Sequence, residues 1–202
     1  MIGKLPRSFY ARPTEEVTQD LLGKVLVRRL DAGIVRGRIV EVEAYHGEND
    51  PGSHAFRGRT ERTEVMFGPP GHVYVYFTYG KHFCMNVVAE EQGKAGAALL
   101  RALEPLAGIA LMEANRGARS VVNLCNGPAK LCEALAITNR QNGADLEGSE
   151  IWIEDDGYAP GEVAVTSRVG LTRGVEFPLR YFLSGNPYVS PGKPSASVPR
   201  VQ

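Results

Sequence analysis

Strand patterns follow one another through the first half of the chain, with few helices between them. Residues 24–30, 34–45, 73–79, 82–90 and 97–104 alternate apolar and polar side chains or are rich in β-branched and aromatic residues, which is typical of strands. Parallel strands need long crossovers, usually helices, and this part of the sequence offers few. The sequence therefore predicts an α+β fold in which a curved, mainly antiparallel β-sheet is flanked by a few helices.

Proline and glycine mark the predicted helices and one hairpin. Residues 13–22 and 105–116 both begin with proline and are followed by glycine, a pattern typical of helices. A third helix is predicted over residues 127–137. The strands at residues 73–79 and 82–90 flank Gly80-Lys81, which predicts a hairpin with its turn there.

The length of 202 residues predicts one domain that spans residues 1–202, because a second independent core would be cramped at this size. The hydrophobic fraction of 43% and the charged fraction of 23% are ordinary for a globular protein. The segment from about residue 187 onward is rich in proline and serine. It is predicted to be loose.

The cysteines and the hydropathy pattern bear on the compartment. Cys84, Cys125 and Cys132 are odd in number and lack CxxC spacing, which argues against a disulfide framework or a zinc site and suits a reducing cytoplasm. The N-terminal residues lack the apolar core of a signal peptide, and no apolar run is long enough to span a bilayer. We therefore expect a cytoplasmic protein without a membrane partner.

The formal net charge of zero counts against nucleic-acid binding, because domains that bind duplexes usually carry a basic surplus. The charges are unevenly distributed, however. Residues 145–162 contain seven acids and no Lys or Arg, so the rest of the chain has 23 Lys and Arg against 16 Asp and Glu. We expect the acidic stretch to face away from any DNA.

The connection between residues 46 and 72 is long for a compact domain, and such loops are usually functional or disordered. Its content of Gly, Pro, Arg, His and Phe is not typical of a disordered linker. Three arginines follow Phe56 within residues 54–62, and of these Arg59 is a candidate contact to DNA phosphates. A solvated basic loop is the alternative. Lys130, near the start of a predicted helix, is a second candidate phosphate contact.

Alternation along residues 34–45 places Glu41, Glu43 and Tyr45 on one face of a strand and the neighbouring apolar residues on the other. The commoner fate of two glutamates on a strand is a solvent-exposed face. Glu43 stands out because Tyr45 shares its face and the loop carrying His54 begins just after it. This neighbourhood predicts a cleft.

Tyrosines recur on the next hairpin. Tyr74 and Tyr76 share one face of their strand, and Tyr79 lies beside the predicted turn. Aromatic residues in strands usually pack in the core. Beside a carboxylate, tyrosines and a histidine could instead clamp a flat heteroaromatic ring. An exposed Tyr79 could enter a base stack as a wedge, unless the turn folds back and covers it.

Metal catalysis is the rival chemistry. The four histidines and the nearby glutamates show no HExxH-type spacing, and the histidines fall mostly in loops. No GxSxG motif, Walker loop or dinucleotide-binding motif is present. The sequence therefore predicts no metal site and no cofactor.

Seven blocks of the sequence stand in a fixed order: residues 39–45 (IVEVEAY), 50–54 (DPGSH), 66–80 (MFGPPGHVYVYFTYG), 83–86 (FCMN), 99–105 (LLRALEP), 125–132 (CNGPAKLC) and 167–170 (SRVG). In order and spacing they resemble the alkyladenine (3-methyladenine) DNA glycosylase family, and in particular its bacterial members. The resemblance extends from about residue 13 to about residue 190. It implies a single mixed domain with a curved antiparallel sheet and no metal or cofactor.

The resemblance also implies roles for individual residues. Glu43 matches the general base that activates water, and Arg101 matches a residue close to that water. The remaining matches are Tyr45, His54 and Tyr76 as contacts to the flipped base, Asn86 as a pocket-floor residue that disfavours the guanine 2-amino group, and Tyr79 as the side chain that fills the gap in the duplex. His46 and Phe56 receive no role.

The resemblance therefore implies a monofunctional, metal-independent DNA glycosylase. The expected partner is double-stranded DNA containing damaged purines, with 3-methyladenine as the first substrate and hypoxanthine and ethenoadenine as further candidates. The chain is expected to act as a monomer. Two alternatives stay open: a non-catalytic nucleic-acid-binding domain, and a metal-dependent hydrolase.

Overall fold

Nine antiparallel strands form the framework in the computed structural model, which describes residues 3–196. They are β1 (Gly3–Lys4), β2 (Val25–Leu30), β3 (Gly33–His46), β4 (Val73–Thr78), β5 (His82–Val88), β6 (Gly96–Ala107), β7 (Ile151–Asp155), β8 (Val163–Thr166) and β9 (Arg180–Leu183). The sheet order is β1-β7-β2-β3-β6-β5-β4, and β9 branches from β3 and pairs with β8. The predicted α+β fold with a mainly antiparallel sheet is confirmed.

Short helices accompany the sheet. They are α1 (Arg7–Tyr10), α2 (Thr14–Asp20), α3 (Ile109–Arg116), α4 (Val121–Leu124) and α5 (Pro128–Ala134), with 3-10 turns at His54–Arg57, Glu64–Phe67 and Asn139–Gln141. The predicted helices at residues 13–22 and 127–137 are confirmed as α2 and α5, each shorter than predicted. Within residues 3–196, no helix has the length and apolar character needed to cross a membrane.

The start of α3 differs from the prediction. The sequence placed it at Pro105, but β6 continues to Ala107 and Pro105 pairs with Gly37 of β3. The helix begins only after Gly108, whose φ is 72°. A Cβ atom there would lie 2.6 Å from the carbonyl oxygen of Ile34, so this glycine allows the close approach that ends the strand and starts the helix.

Strand β3, with 14 residues, positions the site. It pairs with β6 along one edge, while β2 and β9 share the other edge. Irregular register near Glu41 marks a bulge, and bulges re-aim side chains beside functional sites. Glu41 and Glu43 both lie where β3 is paired on both edges, and neither side chain faces solvent.

The β4–β5 hairpin turns at residues 79–81, as predicted. Tyr79 occupies its tip with a φ of 50° and is 86% exposed. The turn does not fold back over the ring. The long connection from residue 47 to residue 72 contains two 3-10 turns, so it is an ordered loop.

The predicted loose tail is wrong for residues 187–196. Ser190 is buried, and its backbone N–H and its hydroxyl both donate to Glu41, at 2.7 and 2.9 Å. Val169 and Pro194 form an isolated β-bridge. These polar contacts hold the segment as a strap behind β3, despite its composition. Residues 197–202 of that tail lie outside the described residues.

Candidate active site

Glu41 is the centre of a buried charge network. Its Oε1 accepts from Arg101 Nε at 2.9 Å and from Arg180 Nε at 2.7 Å, and Ser190 adds two hydrogen bonds. Burial alone would raise the pKa of Glu41, but the charges of Arg101 and Arg180 and the bonds from Ser190 outweigh it and lower the pKa. Glu41 is therefore a carboxylate that fixes the position of Arg101.

Glu43 lies beside this network and is 0% exposed. Oε1 accepts from the backbone N–H of Val169 at 2.7 Å, and Oε2 accepts from the Tyr45 hydroxyl at 2.8 Å. Arg101 Nη1 lies 3.3 Å from Oε2. Burial, followed by the charge of Glu43, raises the pKa of Tyr45 well above its usual value, so the Tyr45 hydroxyl stays protonated and donates.

The enclosure of Glu43 corrects the expected geometry. Sequence alternation placed it on an exposed face or at the surface of a cleft, but β6, β9 and the loop at Val169 cover it. Tyr45 connects Glu43 to a neighbouring cavity, because its ring lines the cavity while its hydroxyl donates to the Glu43 carboxylate.

That cavity has a volume of about 370 Å³, including the solvent at its mouth. Its walls are Tyr45, Gly52, Ser53, His54, Met66, Tyr74, Tyr76, Asn86 and Leu171. His54 and Tyr76 meet edge to face with ring centroids 4.5 Å apart. Small-molecule sites usually combine aromatic walls with a few polar groups. The residue types of these walls suit a flat heteroaromatic ring.

His54 is the titratable wall of the cavity. Its Nδ1 lies 3.0 Å from the Tyr74 hydroxyl and its Nε2 lies 3.4 Å from Arg62 Nη2. Arginine only donates, so Nε2 accepts, and the neutral ring carries its proton on Nδ1 and donates to Tyr74. Partial burial and the charge of Arg62 lower the pKa of His54 to about 4.

We therefore expect His54 to stay neutral from pH 8 down to about pH 5. The unfolded chain binds this proton near pH 6.5, so the free energy of unfolding falls as the pH drops from 6.5 towards 4. An NMR titration of the His54 ring, with signals identified from His54→Gln, should give a midpoint near 4. A midpoint near 6.5 would contradict this environment.

A second buried ion pair, between Arg168 and Asp50, packs against the ring of Tyr45. Arg168 is fully buried and donates from Nη2 to Asp50 Oδ1 at 2.7 Å, and a second bond joins Nη1 to Oδ2. Its guanidinium lies 4.6 Å from the centroid of the Tyr45 ring. Sequence reasoning gave neither residue a role. Asp50 lies in the block DPGSH and Arg168 in the block SRVG, and the two residues are 118 positions apart.

The other predicted site residues divide into two groups. Asn86 is buried, lines the cavity and donates to the backbone carbonyl of Tyr74 at 3.1 Å. Tyr79, Arg59 and Lys130 are not among the cavity walls. Arg59 lies 3.3 Å from Glu64, and Lys130 donates to Asn126 at 2.7 Å.

Within residues 3–196, no group of three or more His, Cys, Asp or Glu side chains is arranged to hold a metal ion. Cys84, Cys125 and Cys132 are free and buried. His46, which received no role from the sequence, lies 3.1 Å from Glu15 through its Nε2.

Comparison with known proteins gives consistent matches. The profile of the methylpurine-DNA glycosylase family matches residues 8–187. A protein of Carboxydothermus hydrogenoformans named "Putative 3-methyladenine DNA glycosylase" is 50% identical over 188 residues, which cover 92% of this chain and 98% of the relative. A protein of Chlorobaculum parvum with the same name is 49% identical over 189 residues, covering 93% of this chain and 90% of the relative.

Proposed function

The chain belongs to the methylpurine-DNA glycosylase family, and on that premise we propose that it is a monofunctional, metal-independent enzyme that flips a damaged purine into the cavity and hydrolyses its bond to deoxyribose. As a family member it is a DNA glycosylase for alkylated purines such as 3-methyladenine. Hypoxanthine and ethenoadenine are proposed as further substrates, and double-stranded DNA as the partner. We propose that it acts as a monomer in the cytoplasm.

One observation carries the proposal: a cavity with aromatic walls is joined by a single hydrogen bond to an enclosed carboxylate. Tyr45, His54 and Tyr76 offer ring surfaces, and each stacked base gains about 1–3 kcal/mol. Extrusion of a nucleotide costs a few kcal/mol, and least when the base is poorly paired. Stacking on these walls can therefore offset the cost of flipping and favour damaged bases.

Glu43 is the proposed general base. As the bond between C1′ and the purine nitrogen breaks, the bonding electrons leave with the base, water oxygen bonds to C1′, and the water proton passes to Glu43. Arg101, 3.3 Å from the carboxylate, keeps it oriented. Because Glu43 is unexposed, water can reach it only if the Tyr45 side of the cavity opens as the nucleotide enters.

The proposal of a monofunctional enzyme rests on the cavity walls. Cleavage of the abasic strand through a Schiff base needs an amine nucleophile. No lysine is among the cavity walls in the described part of the chain. Lys130 and Arg59 are instead proposed as contacts to DNA phosphates.

Tyr79 is the proposed wedge that replaces the flipped nucleotide, since a ring this exposed at a hairpin tip has no packing role in the free protein. Tyr79→Ala should weaken binding to a lesion-containing duplex by about 1–3 kcal/mol and reduce flipping reported by 2-aminopurine fluorescence. Tyr158→Ala, an exposed tyrosine of the acidic stretch, is the matched control. Unchanged affinity and flipping for Tyr79→Ala would rule out the wedge.

The experiment that tests the function is a single-turnover assay on duplexes that each carry one modified purine. We expect release of both 3-methyladenine and hypoxanthine, and for each base the rate should be the same with and without EDTA. The DNA strand should break only after alkali treatment. Binding without release would support the non-catalytic alternative. Loss of release in EDTA would support the metal-dependent hydrolase.

A further inference from the structure

Arg62 lies at the rim of the cavity, in the loop between the 3-10 turns at His54–Arg57 and Glu64–Phe67. Its guanidinium carbon lies 5.6 Å from the centroid of the Tyr76 ring, and its Nη2 lies 3.4 Å from His54 Nε2. Arg62 therefore contacts two of the wall residues of the cavity without lining the cavity itself.

The charges behind the cavity are balanced without Arg62. Three acids, Glu41, Glu43 and Asp50, are matched by three arginines, Arg101, Arg168 and Arg180. Within residues 3–196, no carboxylate lies in ion-pair distance of Arg62. Among the described residues, Arg62 is thus a cation that contacts two wall residues without a direct ion-pair partner.

Such a charge treats the two classes of damaged purine differently. When the bond to C1′ breaks, its electron pair goes to the base. A neutral purine such as hypoxanthine therefore becomes negatively charged as it departs, and a nearby cation stabilises the transition state. A purine that is cationic while attached, such as 3-methyladenine, departs as a neutral molecule and gains no such stabilisation.

We propose that Arg62 is a specificity-determining residue that favours the release of neutral damaged purines over cationic ones. The inference rests on the proposed function and concerns the substrate class of the same cavity. Arg62 acts as a fixed positive charge beside the departing base, while Glu43 and water act at the sugar. This division leaves both carboxylates and the buried arginines in the roles already described.

The size of the effect follows from the distance and the exposure. For a departing base that stacks beside Tyr76, we take the charge to lie roughly 6 Å away. Through an effective dielectric constant of about 40–80, this separation corresponds to about a three- to tenfold change in rate. The rim position keeps the effect at this level, well below the roughly 100-fold change seen when a buried donor is removed, because solvent screens Arg62.

The test compares hypoxanthine with 3-methyladenine, which both lack the guanine 2-amino group, in otherwise identical duplexes. For each variant, the single-turnover rate constant divided by the half-saturating enzyme concentration is measured, and spontaneous release is subtracted. Arg62→Gln should lower this quantity for hypoxanthine by about three- to tenfold and change it by less than about twofold for 3-methyladenine. Arg62→Lys, which keeps the charge, should restore most of the hypoxanthine rate.

Arg59→Gln is the matched control, because it removes the same charge from the same loop, but from a side chain that contacts Phe67 and Glu64 and not the cavity walls. It should affect both substrates by the same factor. If Arg62→Gln lowers the rate parameters of both substrates equally, Arg62 contacts a DNA phosphate and the proposal is overturned. If Arg62→Gln changes neither rate parameter, the proposal is also overturned. If the wild-type protein releases neither base, the proposed function itself fails. If it releases both with the ratio unmoved by Arg62→Gln, only the present inference fails.

Discussion

Glu43→Gln is expected to slow the release of hypoxanthine by about 10²- to 10⁴-fold, the usual contribution of a positioned general base. The amide keeps the shape of the side chain, and its oxygen can still accept from the Val169 N–H. Its nitrogen then faces the Tyr45 hydroxyl and donates to it, in place of the bond that the carboxylate accepts. The amide cannot take a proton from water. Binding of the lesion duplex should be retained, because the cavity walls are unchanged. Single-turnover kinetics and equilibrium binding on the same duplex measure the two effects separately.

Glu48→Gln is the matched control, since Glu48 is an exposed glutamate of the loop that follows β3 and plays no part in the proposed chemistry. It should retain the wild-type rate. Thermal melting of both variants shows whether the fold is intact. A Glu43→Gln protein that is folded, binds the duplex and keeps the wild-type rate would show that another group activates the water.

Glu41→Ala is expected to lower the free energy of unfolding by about 3–5 kcal/mol, the usual cost of removing one partner from a buried ion pair. Two arginines converge on this unexposed carboxylate, at 2.9 and 2.7 Å. Its loss removes the carboxylate that pairs with Arg180 in the interior and leaves Arg101 with Glu43 alone, 3.3 Å away. Since single domains are stable by about 5–15 kcal/mol in total, the loss is large. Urea unfolding of wild type and variant gives the difference.

Ser190→Ala separates the contribution of the ion pairs to stability from that of the hydrogen bond between the Ser190 hydroxyl and Glu41. It removes one hydroxyl that donates to Glu41 but keeps the backbone N–H bond and both ion pairs, so its loss should be about 0.5–1.5 kcal/mol. A Glu41→Ala loss no greater than that of Ser190→Ala would contradict the account, because the carboxylate would then contribute no more than one neutral hydrogen bond.

Local patterns predicted the elements that carry the site. Alternation along β3 placed Glu41, Glu43 and Tyr45 on one face, and both Glu43 and Glu41 do meet Arg101. The hairpin at Gly80-Lys81 also followed from short-range signals, because a turn and its flanking strands lie within a few residues of one another. The same signals left open whether the turn would cover Tyr79, which is exposed in the structure.

Contacts between distant segments were not predictable in this way. The pairing of Arg168 with Asp50 joins positions 118 residues apart, and strand periodicity says nothing about which buried charge will meet which. The enclosure of Glu43 has the same origin, because Val169 reaches it from 126 positions away. The strap at Ser190 was missed because proline and serine content reports on local order, whereas its hydrogen bonds to Glu41 are long-range.

The most direct test of the central claim is a crystal structure of the Glu43→Gln protein with a duplex containing ethenoadenine. We predict that the modified base lies outside the helix, within the cavity walled by Tyr45, His54 and Tyr76, and that the Tyr79 ring occupies its former place. A base that remains stacked in the duplex, or that is bound elsewhere while the cavity stays empty, would contradict the account.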